Sequence, residues 1–152
     1  MLPYADMVVY DTSGQIVLIA EVKSRTEKSR EWATQLRRNL LAHGLVPPSR
    51  FLLVALPDRL YLWKDVGNGP ELAEPTYELD ALPFFQPYYT KAGVSPDALA
   101  GSSFELIVAA WLNELVQDGV IETLPPEARP ALVESGLLEA LRGGRVALQV
   151  AA

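Results

Sequence analysis

Three charged side chains near the start of the chain carry the clearest chemical signal. Asp6 lies at the start of one apolar segment, and Glu21 and Lys23 lie at the end of the next. If the two segments pair as antiparallel strands, Asp6 faces Glu21 directly and Lys23 lies on the same face. Directly opposed carboxylates have Cβ atoms about 5 Å apart, so they repel and raise each other's pKa. The sequence therefore predicts a pair that stability alone does not favour.

A divalent cation between the two carboxylates would remove this repulsion. Mg²⁺ and Mn²⁺ prefer oxygen ligands and often bind one or two carboxylates plus waters. Lys23 would then orient or activate a water, or neutralise charge developing on a phosphate. These three residues together suit the metal-dependent hydrolysis of a phosphodiester. A solvated Glu–Lys ion pair at a strand end is the alternative interpretation.

The elements that must position these residues follow from periodicity and turn signals. Alternating or continuous apolar runs predict strands over 6–11, 16–23, 51–56 and 60–63, and helical spacing predicts a helix over about 29–43. Gly14 suits the first turn and Gly44 the end of the helix, because both positions favour a left-handed backbone. The order is β-β-α-β-β. In the first hairpin we expect Asp11 to face Ile16, which places Val17 on the face that carries Glu21.

The rest of the chain predicts a proline-rich connection followed by helices. The whole chain then divides into a core over 1–66, an irregular segment over 67–100, and a helical part over 101–152 that we expect to pack on the core. Ser102 and Glu105 have capping-box spacing at the start of a helix. A second helix is predicted over 127–141 and a last strand over 145–150. The predicted fold class is α+β, with a mixed sheet and flanking helices.

Asp6, the Glu21-Val22-Lys23 triplet at a strand end, and Gln35 on the following helix together resemble the PD-(D/E)xK nuclease superfamily. This resemblance implies a restriction endonuclease-like core with Mg²⁺ or Mn²⁺ held by Asp6, Glu21 and the carbonyl of Val22. It also implies that Lys23 assists the attacking water, that Gln35 joins the catalytic group, and that DNA is the expected partner. A helix over 30–44 and a strand over 60–65 extend the likeness to small uncharacterised proteins of cyanobacterial type.

The chain departs from that superfamily in two ways. The characteristic proline usually adjoins the aspartate, whereas here Pro3 lies three residues before Asp6. The superfamily core also usually begins with a helix, often bearing a further acidic ligand, and a strand before the aspartate. Here the motif comes at the very start, so either the chain is truncated or another element takes the place of these two.

Composition bounds the remaining function classes. The chain has 152 residues, a net charge of −6, one histidine and no cysteine, which excludes disulfides, zinc–cysteine sites and a multi-histidine site within one chain. The sequence shows no apolar segment long enough to cross a membrane and no secretory signal pattern. It therefore predicts a cytoplasmic protein with no membrane partner. Six basic residues between Lys23 and Arg38 predict either a phosphate-binding patch or an exposed helix face.

Two further functions are open at this stage. One is a binding module that keeps the nuclease fold without its chemistry, which the acidic pI favours. The other is an interaction domain that uses the apolar stripe from Phe104 to Val116, where Trp111 would lie in a homodimer contact if that face is exposed.

Overall fold

A computed structural model describes residues 5–44, 49–67, 71–118 and 124–148. One mixed six-stranded sheet with the order β5-β4-β3-β2-β1-β6 forms its centre, and helices pack on it. The elements are β1 (Met7–Tyr10), β2 (Ile16–Val22), α1 (Arg30–Ala42), β3 (Phe51–Ala55), β4 (Arg59–Lys64), β5 (Tyr77–Asp80), α2 (Leu82–Ala92), α3 (Gly101–Asp118), α4 (Leu137–Leu141) and β6 (Arg145–Leu148). The α+β fold class and the first five predicted elements are confirmed.

The hairpin of β1 and β2 has the predicted register over most of its length. Met7 pairs with Ala20, and the pairing continues in step until a bulge places Tyr10 opposite Ile16. The expected pairing of Asp11 with Ile16 is therefore wrong, because the backbone N–H of Asp11 donates to the carbonyl of Gln15 at 2.8 Å instead. The extra residue, Val17, joins the apolar cluster on the opposite face from the one predicted.

Helix α1 connects the only parallel pair among the described strands, β2 and β3. Ser29 caps its first turn by accepting the backbone N–H of Trp32 at 3.1 Å, and Gly44 follows its end with a positive φ of 62°. The crossover brings Glu21 beside Val54 and places the end of β2 in the interior of the sheet. Glu21 therefore lies on a central strand, at the point where the pairing of β2 with β1 has ended and its pairing with β3 continues.

The segment predicted to be irregular contains a strand and a helix. Strand β5 pairs antiparallel with β4 at one edge of the sheet, and α2 follows directly. Pro83 lies in the first turn of α2, where a missing N–H costs nothing, and Pro87 lies inside it. Two aromatic contacts bury the helix: the ring centroid of Phe85 lies 5.4 Å from that of Trp111 and 5.6 Å from that of Phe104.

The C-terminal region departs from its prediction in detail. Helix α3 begins at Gly101, so Ser102 lies inside the helix and is not its cap. The single helix predicted over 127–141 is broken at Gly136, whose φ is 87°, into a π-helical segment and α4. The last strand is confirmed over 145–148, and its remaining predicted residues lie outside the described ones.

Strand β6 and helix α3 complete the fold around β1. β6 pairs antiparallel with β1 on the side away from β2, with Met7 opposite Leu148. The apolar stripe of α3 packs into the main core, and Trp111 is only 4% exposed. This stripe is therefore internal, which removes the basis for a homodimer through that face. In the described part of the chain, no helix is long and apolar enough to cross a membrane.

Candidate active site

Asp6 and Glu21 meet at the ends of β1 and β2, as their spacing predicts. Asp6 immediately precedes β1, and its Oδ2 accepts the backbone N–H of Val22 at 2.7 Å. Both carboxyl groups are buried, with 8% of Asp6 and 2% of Glu21 exposed. Two adjacent acids so far from solvent are costly unless a proton or a cation compensates their charge.

The surroundings of Glu21 favour the protonated form of its carboxyl group. Burial is the largest cause, and the charge of Asp6 and a hydrogen bond between the two carboxyl groups add to it, raising the pKa of Glu21 to about 8. Lys23 opposes this shift. One oxygen of Glu21, Oε1, is buried and has no hydrogen-bond partner among the described atoms. A buried carboxylate oxygen without a partner is rare in folded proteins and is a position where a water or an ion can bind; Oδ1 of Asp58 is the other such oxygen in the described part of the chain.

Lys23 lies directly after β2, where its backbone N–H donates to the carbonyl of Ala55 at 3.0 Å. Its side chain is half-buried, and its charge acts on both Glu21 and Glu105. The structure therefore brings Asp6, Glu21 and Lys23 together as the sequence predicts. A lysine with an anchored backbone beside two carboxylates suits a role in orienting a water or a phosphate oxygen.

Glu105 belongs to the same neighbourhood and was missed by sequence reasoning. The pKa of Glu105 is raised, first by burial and then by the charge of Asp6, while Lys23 lowers it. The spacing of Ser102 and Glu105 in the sequence predicts a capping box, and nothing in it reveals that α3 packs on β2 and β6.

The other two sequence-predicted site residues differ in their placement. The N–H of Val22 points to Asp6, and in an extended strand the carbonyl of the same residue lies along the same edge. Its predicted role as a metal ligand therefore agrees with the direction of the backbone. Gln35 is not brought to this group: it is exposed, on the side of α1 opposite the buried Ala33 and Arg37.

The loop after Lys23 is tied to the β3–β4 turn at its far end. The backbone N–H of Glu27, whose φ is 59°, donates to Oδ2 of Asp58 at 3.0 Å. The hydroxyl of Tyr61 donates to the carbonyl of Lys28 at 2.7 Å. These two bonds hold the far end of the loop, and the bond from Lys23 to the carbonyl of Ala55 holds its near end. The position of the lysine is thus fixed by β3 and β4 as well as by β2.

The basic residues of α1 mostly serve the fold. Arg37 is 1% exposed and donates to the carbonyls of Glu71 and Gly67 at 3.2 and 3.1 Å. Arg30 donates to the carbonyl of Pro75 at 3.0 Å and forms ion pairs with two glutamates. The prediction that Arg37 faces solvent or phosphate is therefore wrong, whereas Arg30 keeps 39% of its side chain exposed. Arg25 and Arg38 are exposed and remain available to a polyanion.

The site fits a divalent cation through oxygen donors alone. Asp6 and Glu21 supply carboxylates, and the orphaned Oε1 of Glu21 is a donor without a partner among the described atoms. Within residues 5–44, 49–67, 71–118 and 124–148, no three His, Cys, Asp or Glu side chains cluster closely enough to form a metal-binding group. Carboxylate oxygens are the ligands that Mg²⁺ and Mn²⁺ prefer, so these two side chains are the ones that would hold such an ion.

No protein-family model matches the chain, and no curated protein or solved structure is significantly similar to it. The residues of the site and their arrangement are therefore the basis for proposing a function.

Proposed function

We propose that the protein is a Mg²⁺-dependent nuclease of PD-(D/E)xK type that hydrolyses phosphodiester bonds in nucleic acid. The observation that carries this proposal is the buried pair of Asp6 and Glu21, with one orphaned carboxylate oxygen and a lysine beside it. A fold optimised only for stability gains nothing from this pair. A phosphodiesterase needs carboxylates and a cationic group in one place.

Each residue would have a distinct part in the reaction. Asp6 and Glu21 would hold the cation, with the Val22 carbonyl as an additional donor. Bound Mg²⁺ would lower the pKa of a coordinated water and polarise the phosphoryl oxygen. Lys23 would orient that water and stabilise the charge that develops on the phosphate. The negative charge of Glu105 nearby adds to the preference of this place for a cation.

Thermal unfolding with and without metal is the first test. Mn²⁺ or Mg²⁺ at about 100 times its dissociation constant should stabilise the wild type by about 2.7 kcal/mol, which is about 5 to 10 °C for a chain of this size. Glu21→Gln should lose this shift. An equal shift in both proteins would show that the ion binds elsewhere and would overturn the proposed site.

Cleavage assays then test the chemistry. Lys23→Ala should lower the rate on DNA or RNA by about 100-fold or more, with an unchanged unfolding temperature and an unchanged metal shift. Lys64→Ala is the matched control, because Lys64 is also half-buried but lies in β4, outside the site. Equal rates in the wild type and Lys23→Ala would contradict the role of the lysine.

A binding module without catalysis is the second candidate. The net charge of −6 and the exposed position of Gln35 favour it, because extended nonspecific contact with nucleic acid requires many free cations. In that case we expect no cleavage and no change of stability with Mg²⁺. A cytoplasmic location, and DNA as the expected nucleic acid, belong to the nuclease proposal.

A further inference from the structure

A cavity of about 460 Å³ opens between α2, the second half of α3 and the segment at Leu124. The residues that shape it combine aromatic rings, proline and two opposite charges: Pro83, Phe84, Tyr88, Lys91, Trp111 and Glu114. Its volume is in the range of small-molecule sites. Glu114 follows Glu105 by nine residues on α3, or about 13 Å along the helix axis. The cavity is therefore separate from the Asp6–Glu21 pair.

Two polar groups of this cavity, those of Tyr88 and Glu114, are bonded to each other. The hydroxyl of Tyr88 donates to Oε1 of Glu114 at 2.6 Å and so fixes the carboxylate at the cavity wall. Burial and the neighbouring carboxylate raise the pKa of Tyr88, which keeps the phenol protonated and donating. Pro87 has no N–H to give to the carbonyl of Pro83, so that carbonyl lacks its α-helical partner.

The two charges at the cavity have different origins. Lys91 lies in the last turn of α2, where the helix dipole favours a cation, so helix stability accounts for its position. Glu114 precedes the last turn of α3, so the helix dipole does not account for its position. Its carboxylate is exposed to solvent and is oriented by Tyr88.

We propose that this cavity binds a small organic cation, an ammonium group on an aromatic or alkyl body, with Glu114 as its counter-ion. The rings of Phe84 and Trp111, whose centroids lie 5.4 Å apart, and the ring of Tyr88 form the walls. Ring faces attract cations, and a carboxylate beside them adds a charge-assisted hydrogen bond. The net charge of −6 also draws cations to the surface. This inference does not depend on nuclease activity.

Three probes with the same ring and different charges test the proposal on the full chain. An NMR titration that follows the indole N–H of Trp111 would compare phenethylammonium, neutral 2-phenylethanol and anionic 3-phenylpropionate. Phenethylammonium should bind with a dissociation constant on the order of 1 mM, about tenfold more tightly than the neutral probe. Equal or tighter binding of the anion, or no saturation with the cation up to about 20 mM, would overturn the proposal.

Variants then assign the charge selectivity to its residue. Glu114→Gln should weaken binding of the cation about tenfold, while Lys91→Met should leave it unchanged or tighten it. Glu139→Gln, which removes an exposed carboxylate from α4, is the matched control and should have no effect. Glu21→Gln should also bind the cation normally, which separates this site from the proposed metal site. Unchanged cation binding in Glu114→Gln would refute the assignment.

Discussion

Replacing Glu21 with glutamine should change the pH dependence of stability. In the folded protein the pKa of Glu21 is raised to about 8 from an ordinary value of 4.5, mainly by burial and by the charge of Asp6. The folded state therefore binds a proton that the unfolded state releases. The stabilisation is therefore complete when the pH is below the ordinary pKa of Glu21, and it is lost as the pH rises through the pKa of the folded state. Glutamine has nearly the same shape but does not titrate.

The size of the effect follows from the pKa shift. Ionising a group with these two pKa values costs the wild type about 3 to 4 kcal/mol between pH 5 and pH 8. For a chain of this size, such a loss lowers the unfolding temperature by about 10 °C. The Glu21→Gln protein should lose much less over the same interval. The free energy of unfolding of Glu21→Gln, relative to that of the wild type, should therefore be higher at pH 8 than at pH 5 by nearly this whole loss.

Urea unfolding of both proteins at half-unit steps of pH measures the two curves directly. Glu139→Gln, at an exposed position on α4, controls for the loss of one carboxylate and should follow the wild type. Addition of Mn²⁺ at pH 8 should restore stability to the wild type alone, because a cation compensates the ionised pair. Parallel curves for the wild type and Glu21→Gln between pH 5 and pH 8 would refute the reasoning.

Two structural contacts give further predictions. Arg37→Met should destabilise the fold by about 2 to 3 kcal/mol, because it leaves the carbonyls of Gly67 and Glu71 without a donor. Hydrogen exchange over 71–76 should also accelerate. A loss of stability below about 0.5 kcal/mol in urea unfolding would show that these bonds contribute little. Gly144→Ala should cost about 2 to 3 kcal/mol in the same assay, because an added Cβ would lie 2.3 Å from the carbonyl oxygen of Tyr10. Gly14→Ala is its contrast, since it meets no atom within 4 Å and pays only the strain of a positive φ.

The first half of the fold could be predicted because local signals there agree with one another. Strands β1 and β2 are rich in β-branched residues, their turn contains Gly14, and Ser29 and Gly44 bound α1. The hairpin register then places Asp6 beside Glu21 without any tertiary information. The bulge at Val17 was not predictable, because a single extra residue changes no propensity and only shifts which side chains share a face.

The second half depends on contacts that sequence patterns do not encode. Five prolines between 67 and 100 indicate an irregular chain, yet two of them occupy α2 because the aromatic cluster around Phe85 stabilises that helix. Arg37 is buried because its partners are carbonyls some thirty residues further along. Glu105 reaches the site only because α3 packs on β2 and β6. In each case a tertiary partner overrides the local preference.

The pairing of β1 with β6 has a consequence for how the protein is made. Met7 finds its partner Leu148 about 140 residues further along the chain, so the strand next to Asp6 leaves the ribosome long before its outer neighbour exists. Until then the outer edge of β1 has no strand partner. Contacts of such long sequence separation form late and slowly. The strand that follows Asp6 should therefore keep an unpaired outer edge until synthesis has passed β6.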